Sequence, residues 1–303
     1  MDKETSHWVT EERHEATYEL DRMTTMEILS VMNQEDQRVP QAVRGELTQV
    51  AQTVDAMVEA VQKGGRIFYI GAGTSGRLGV LDASECPPTF SSDPQTVQGI
   101  IAGGDHALRF AIEGAEDSAE QGAEDLQVSG FNPTDFLVAL SASGRTPYVM
   151  GALTHAKHIG AQSASIACNP HSPAGRLATI AIDIKTGPEI LTGSTRLKAG
   201  TAQKLVLNML STAMMIRLGK TYGNLMVDLK PTNKKLHERS RQIVSLATGV
   251  PLSEASTTLD LAGGETKTAI VMLLANTDAA SARQRLTSTA GRVRDALGNN
   301  SSS

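Results

Sequence analysis

Ile67-Phe68-Tyr69-Ile70-Gly71-Ala72-Gly73-Thr74-Ser75-Gly76-Arg77 is an apolar run that ends in a turn of glycines and short hydroxyls. The pattern reads as strand, turn and helix. Such a turn points backbone N–H groups and hydroxyls at an anion lying near the partly positive N-terminus of the helix. Gly71, Gly73 and Gly76 also satisfy the G-x-G-x-x-G dinucleotide fingerprint, so the turn indicates a phosphate and leaves open which compound carries it.

The neighbouring sequence repeats the same alternation. A helix is expected over 76–84, ended by Pro87-Pro88, then a strand over 96–102 closed by Gly103-Gly104 and a largely helical stretch over 107–126. Strands are expected over 135–140, 162–167 and 179–184, with a helix over 147–159 and a long one over 195–218. Upstream, a short helix near 24–32 and a longer one over 40–63, stopped by Gly64-Gly65, precede the first strand. Short β-rich runs separated by helices require right-handed βαβ crossovers, so the fold class is α/β: a doubly wound, five-stranded parallel sheet flanked by helices.

Three regions follow. Residues 1–20 are polar without a period and read as a flexible N-terminal arm; 21–230 form the α/β domain with its N-terminal helices; 231–303 form a small helical C-terminal region. That last region opens with the polar run 230–237 and a helix to about 247, carries three short helices over 253–261, 267–274 and 278–286, and ends in a basic tail. Its core reads as too small to stand alone, and 299–303 read as disordered.

Composition narrows the function. Among 303 residues aromatics make up only 3% and the net charge is −5, which argues against a nucleic-acid surface. Cys86 and Cys168 lie far apart and outside any C-x-x-C pair, so neither a disulfide framework nor a structural zinc site is indicated, and no His/Cys cluster offers another metal site. The N-terminal stretch carries Asp2, Glu4, Glu11, Glu12 and Glu15 without an apolar leader, and no run of about 18 uncharged apolar residues follows. A cytoplasmic protein without membrane contact is expected.

In open parallel sheets ligands bind beyond the carboxyl ends of the strands. Three loops belong there: 71–77, Ser141-Ala142-Ser143-Gly144-Arg145-Thr146, and Asn169-Pro170-His171-Ser172. Clustered Ser and Thr beside Gly in the first two suit a phosphate monoester held by neutral donors in the field of helix termini. A dinucleotide site needs an acidic residue at the tip of the next strand, where this chain has Gly103-Gly104 with Asp105 just past them, so a phosphosugar is the better fit. The segment around Ser143 lacks the first glycine of a G-x-S-x-G elbow. Glu85, Glu116 and Glu189 lie near the expected edge, but spacing alone does not separate an acid–base group from a helix cap, an ion-pair partner or a surface charge. His237 stands either on a solvated helix face or within reach of a neighbouring subunit's ligand.

The segments over 71–90, 100–118, 141–149 and 187–212, with Asn224-Leu225-Met226-Val227-Asp228, closely resemble the N-acetylmuramic acid 6-phosphate etherase family. The resemblance runs from about residue 20 to the end, with the sugar isomerase domain of glucosamine-6-phosphate synthase and the glucokinase regulatory protein as a more distant likeness. It implies the sugar isomerase fold, a ubiquitin-associated-like helical domain over about 250–297, a homodimer and no cofactor. The implied reaction removes the D-lactyl group from C3 of N-acetylmuramic acid 6-phosphate with water, during recycling of cell-wall peptidoglycan. Chemically, ring opening makes C1 an aldehyde and acidifies the C2 proton. One group then removes that proton, another protonates the departing lactyl oxygen, and water adds to the C2–C3 double bond.

By the same resemblance Glu85 is the proton donor and Glu116 the second acid–base residue, the C2 base, although the division between them stays open. A donor needs its proton near neutral pH, which burial beside Pro87-Pro88 would favour. Gly73, Thr74, Ser75, Ser141, Ser143, Arg145, Thr146, Glu189 and Ser194 are expected to bind substrate, with Glu189 either contacting sugar atoms or serving as an auxiliary base. The alternatives are a non-catalytic phosphosugar-binding regulator and an aldose–ketose phosphosugar isomerase; the regulator family carries tandem domains where this chain has room for one.

Overall fold

The computed structural model describes residues 8–229 and 234–298. The chain divides into two compact units, Met1–Ser84 with Gln95–Ser211, and Glu85–Pro94 with Thr212–Ser303.

The first unit opens with short 3-10 turns at Val9–Glu11, Glu15–Thr17 and Leu20–Arg22. The expected loose arm is anchored from residue 10 onward: Thr10 and Asn169 exchange two hydrogen bonds, Thr17 Oγ1 donates to the Ile190 carbonyl, and His14 Nε2 lies 3.2 Å from Glu35. Residues 1–7 of that arm lie outside the described residues. Helix α1 (Thr25–Asp36) starts at a capping box between Thr24 and Glu27. The single helix expected over 40–63 is two, α2 (Val39–Arg44) and α3 (Leu47–Gln62). The Gly45 and Glu46 amides bond to the carbonyls three residues back, Ala42 and Val43, and this tightening ends α2.

Strand β1 (Ile67–Gly71) leads into α4 (Gly73–Phe90), β2 (Val97–Ile101), α5 (Ala119–Val128), β3 (Phe136–Leu140), α6 (Pro147–His158), β4 (Gln162–Ala167), α7 (Pro173–Leu177), β5 (Ile180–Asp183) and α8 (Lys198–Arg217). The sheet is five-stranded in the order β2-β1-β3-β4-β5, and every pair is parallel. Gly71 at the end of β1 pairs with Ile101 of β2 and Leu140 of β3, so these strands finish at one level. Chain order reverses between β1 and β3, and their carboxyl ends open the crevice where such sheets take ligands.

All residues of β1 and β3 are buried, as strands covered on both faces must be. Phe68, Ile70, Leu137 and Ala139 pack with Leu126, Tyr148, Val149 and Leu153 from α5 and α6, while α3 packs on β1, β3 and β5. α5 and α6 approach through glycine: a Cβ on Gly122 would meet the Tyr148 carbonyl oxygen at 1.8 Å, and one on Gly151 the Ala119 oxygen at 1.8 Å. The Tyr148 hydroxyl donates to Asp125 across the same seam at 2.6 Å.

Two expectations change. α4 runs through Pro87 and Pro88 to Phe90 instead of ending before them. Both prolines lie inside the helix near its end: their fixed φ is helical, but each removes an amide that would bond the Ala83 or Ser84 carbonyl and crowds that carbonyl with its ring, a local cost that the fold overrides. The helix expected over 107–126 is a 3-10 turn at Asp105–Leu108, a loop over 109–118, and α5. Gly114, at φ 74°, takes the chain out of helical conformation, and Ser118 caps α5 by accepting from the Gln121 amide.

In the second unit an antiparallel ribbon, β6 (Thr221–Tyr222) and β7 (Leu225–Met226), precedes helices α9 (Lys234–Thr248), α10 (Leu252–Leu261), α11 (Thr266–Ala275), α12 (Ala279–Ser288) and α13 (Val293–Ala296). This region has a core of its own, with Val227, Val244, Leu259, Ile270, Val271, Leu286 and Val293 among the buried residues. The expected basic tail contains α13; the start of the polar run, 230–233, and the tail 299–303 lie outside the described residues.

The α5–α6 seam carries a stability prediction. Gly151→Ala should cost about 3 kcal/mol, since backbone on the facing helix must move to admit one methyl. Denaturant unfolding measures it, and a variant as stable as the parent contradicts the packing described.

Candidate active site

A cleft of about 640 Å³ opens at the carboxyl ends of β1 and β3. Gly73, Thr74 and Ser75 at the start of α4 form one wall and Ser141, Ser143, Arg145 and Thr146 before α6 form another; both helices begin here. Gly73 has φ 52° and Gly144 φ 71°, conformations that aim the two turns and that side-chain-bearing residues adopt at a cost. Thr146, the N-cap of α6, makes no side-chain hydrogen bond to the first turn; Pro147 has no N–H and the Tyr148 amide is spent on the Glu116 carbonyl, so what this helix start offers an anion is its field and the Val149 amide.

The serine loop is internally organised. Ser141 Oγ accepts from the Gly144 amide at 3.0 Å and shares hydrogen bonds with Thr146 Oγ1 at 2.8 Å and Ser143 Oγ at 3.4 Å. Asn169, in the third edge loop, donates to the Ser143 carbonyl and joins the loop to Thr10. Arg145 is exposed, stacks over Trp8 at 5.1 Å and faces Glu11 at 4.0 Å. Ser75 is buried and its hydroxyl donates to Gln203 at 2.9 Å, so its contribution to the cleft is its backbone.

Glu116 enters the cleft from the 109–118 loop, which is tied to α6 by the Tyr148 amide donating to the Glu116 carbonyl at 3.0 Å. Sequence reasoning missed Asp117, Gly193, Thr195 and Glu11, which also line the cleft. The first three adjoin expected residues, so their signal was proximity; Glu11 is distant in sequence and had none. Glu11, Glu116 and Asp117 face the one cation Arg145 in this lining, so an anion here must rely on amides, hydroxyls and helix termini. This arrangement can hold a phosphate against neutral donors while offering carboxylates for proton transfer.

The glucokinase regulatory protein N-terminal SIS domain family matches residues 49–157, and the SIS domain family matches residues 117–213. A phosphoheptose isomerase from Francisella tularensis is 17% identical and superposes with a TM-score of 0.50, covering 64% of this chain and 100% of that one, a likeness of fold. N-acetylmuramic acid 6-phosphate etherases of Aliivibrio salmonicida and Cutibacterium acnes are 55% and 53% identical, covering 96% and 99% of this chain and 97% and 99% of theirs. The chain belongs to the N-acetylmuramic acid 6-phosphate etherase family.

For an etherase-family chain the expected site residues divide. Those of the two hydroxyl loops and Glu116 share the cleft. Ser194 is half-buried between Gly193 and Thr195 and does not itself line it. Glu189, expected against the sugar, is 1% exposed and accepts from the Lys198 and Ala199 amides at 3.0 and 2.9 Å, which makes it the cap of α8. Burial raises its pKa, with those two amides opposing. Glu85 is an exposed residue of α4 in the second unit, whereas the donor role that the resemblance gives it asks for burial. His237 is exposed on α9. Among the described residues no group of three His, Cys, Asp or Glu comes together as metal ligands. Burial, then the Glu189 charge, pushes the Cys168 thiol up to about 12, too high for a thiolate nucleophile.

Behind the cleft lies a buried charge cluster. Glu35, 4% exposed, meets Lys198 Nζ at 2.7 Å, His14 Nε2 at 3.2 Å and Arg38 at 2.9 Å. Burial works against its charge, but the hydrogen bond and charge of Lys198, with His14, outweigh that and hold its carboxyl below the usual range. Because the folded value is the lower one, the contribution is whole above the unfolded range and is lost as pH falls through the folded value. Thermal stability should therefore drop below about pH 5. Glu35→Gln should cost roughly 3 kcal/mol at neutral pH, since Lys198 loses its buried partner, and should flatten that drop. An unchanged acid limb in the variant's Tm profile contradicts the role.

Proposed function

We propose that the chain cleaves the D-lactyl ether of N-acetylmuramic acid 6-phosphate with water, giving N-acetylglucosamine 6-phosphate and D-lactate, as a carbon–oxygen lyase. The observation that carries this reading is 55% identity to a named etherase over 96% of the chain. The regulator and isomerase alternatives are not favoured by relatives of this length and identity.

The cleft supports a division of labour. The phosphate is held by the amides at Gly73–Ser75, the hydroxyls of Ser141, Ser143 and Thr146, and the N-termini of α4 and α6. Fixed there, the opened sugar presents C2 to Glu116. Glu116 takes the C2 proton; the electron pair forms the C2–C3 double bond as the C3–O bond breaks, and an acid protonates the lactyl oxygen. Water then adds its oxygen to C3 and a proton returns to C2. Glu85 as that acid rests on the family resemblance of its motif, and its desolvation has to come from what covers it in the working enzyme. Thr195 extends the contact surface around the sugar, with Ser194 beside it in the chain, and Arg145 adds the cleft's positive charge.

A homodimer in the cytoplasm, acting in peptidoglycan amino-sugar recycling, completes the proposal. No helix among the described residues is long and apolar enough to cross a membrane.

Incubation with N-acetylmuramic acid 6-phosphate and measurement of lactate tests the reading. Glu85→Ala and Glu116→Ala should each lower lactate release by about a hundredfold or more while phosphosugar binding persists. Phosphosugar binding by the parent without lactate removes the lyase reading. Sizing the same preparation checks the dimer, which a fully active monomer excludes.

A further inference from the structure

The second unit contains a cavity of about 770 Å³ walled by the Gly263-Gly264 turn, the first turn of α11 and residues 218–229, remote in sequence from the hydroxyl loops. Its chemistry is cationic. Lys220 Nζ and Lys267 Nζ both pair with one oxygen of Asp228, at 2.8 and 2.9 Å. Arg283 Nε binds Glu265 at 2.8 Å. With Lys220, Lys267 and Arg283 against Asp228 and Glu265, one positive charge is left over. Each ammonium has three donors, and sharing one carboxylate oxygen leaves several unspent.

Two further features point to a ligand. Glu265 is the N-cap of α11 but makes no side-chain hydrogen bond to the first-turn amides; its carboxylate is taken instead by Arg283 and Thr268. The positive end of a ten-residue helix thus opens uncapped on the cavity. Thr266, the first residue of that helix and part of the cavity wall, is 2% exposed, and its Oγ1 has no hydrogen-bond partner among the described residues. A buried hydroxyl left unpaired costs stability, and a ligand acceptor would relieve it.

We propose that this cavity binds a small phosphate monoester, held by the first-turn amides of α11, the Thr266 hydroxyl and the Lys220–Lys267 pair. A tetrahedral oxyanion suits donors that converge from a helix end, a hydroxyl and two ammonium groups, and the volume admits a sugar-sized body beyond the phosphate. The site is independent of the cleft reading: it uses no residue of the sheet edge.

Nuclear magnetic resonance on the full chain with isotope-labelled threonine reads the site through the Thr266 and Thr268 amides. Titration with inorganic phosphate and with N-acetylglucosamine 6-phosphate should shift both; only inorganic phosphate acting would restrict the ligand to the free ion and overturn the monoester. Thr266→Val should keep the parent's Tm or raise it, because the hydroxyl has no partner to lose, and should weaken binding about tenfold. Lys267→Gln, read at the same amides, should weaken it at least as much. Ser141→Ala, in the cleft, should leave these shifts in place. Amides that stay still with both probes overturn the proposal. So do shifts that chloride reproduces at equal ionic strength, or affinity unchanged in both the Thr266 and Lys267 variants.

Discussion

Gly76 of α4 lies so close over the end of β1 that a β-carbon there would meet the Gly71 carbonyl oxygen at 2.6 Å. This contact fixes how sharply the chain turns from strand to helix, and the rest of the cleft is built on it. With Gly71 level with Leu140 of β3, the tight turn sets the α4 N-terminus over the crevice between the two strands. The glycines that look like a dinucleotide fingerprint thus serve packing at 71 and 76 and turn geometry at 73. In the proposed function, phosphate recognition falls to the hydroxyls and amides around them.

The second wall depends on a different kind of constraint. The serine loop is held by hydrogen bonds among its own side chains and by Asn169, and Asn169 is in turn held by Thr10 of the N-terminal segment. That segment is pinned to the body again through Thr17 and through His14 on Glu35. Glu35 balances the buried Lys198 at the head of α8, where Glu189 caps the helix. A run of residues without periodicity therefore shapes the cleft rim through polar contacts distributed over the chain.

These details mark where sequence is informative. The parallel sheet, its strand positions and the two hydroxyl loops were legible because each is local: a short apolar run, a glycine, a cluster of Ser and Thr. The role of Glu189 was not, since helix capping depends on where α8 begins in space, and the same Gly-Pro-Glu segment suits a sugar contact. Helix boundaries failed where a local signal was overruled, at Pro87-Pro88, where the helix continues to Phe90 despite two missing amides, and at 107–126 by Gly114 and the Ser118 cap. The anchoring of residues 10–17 left no trace in their own sequence because every partner that holds them is more than a turn away along the chain.

The most direct test of the central claim is a crystal structure with N-acetylglucosamine 6-phosphate bound. The account predicts the phosphate within hydrogen-bonding distance of the 73–75 amides and the Ser141, Ser143 and Thr146 hydroxyls, with C2 turned towards Glu116. A phosphosugar seated away from both loops, or one whose C2 faces no carboxylate, would contradict it.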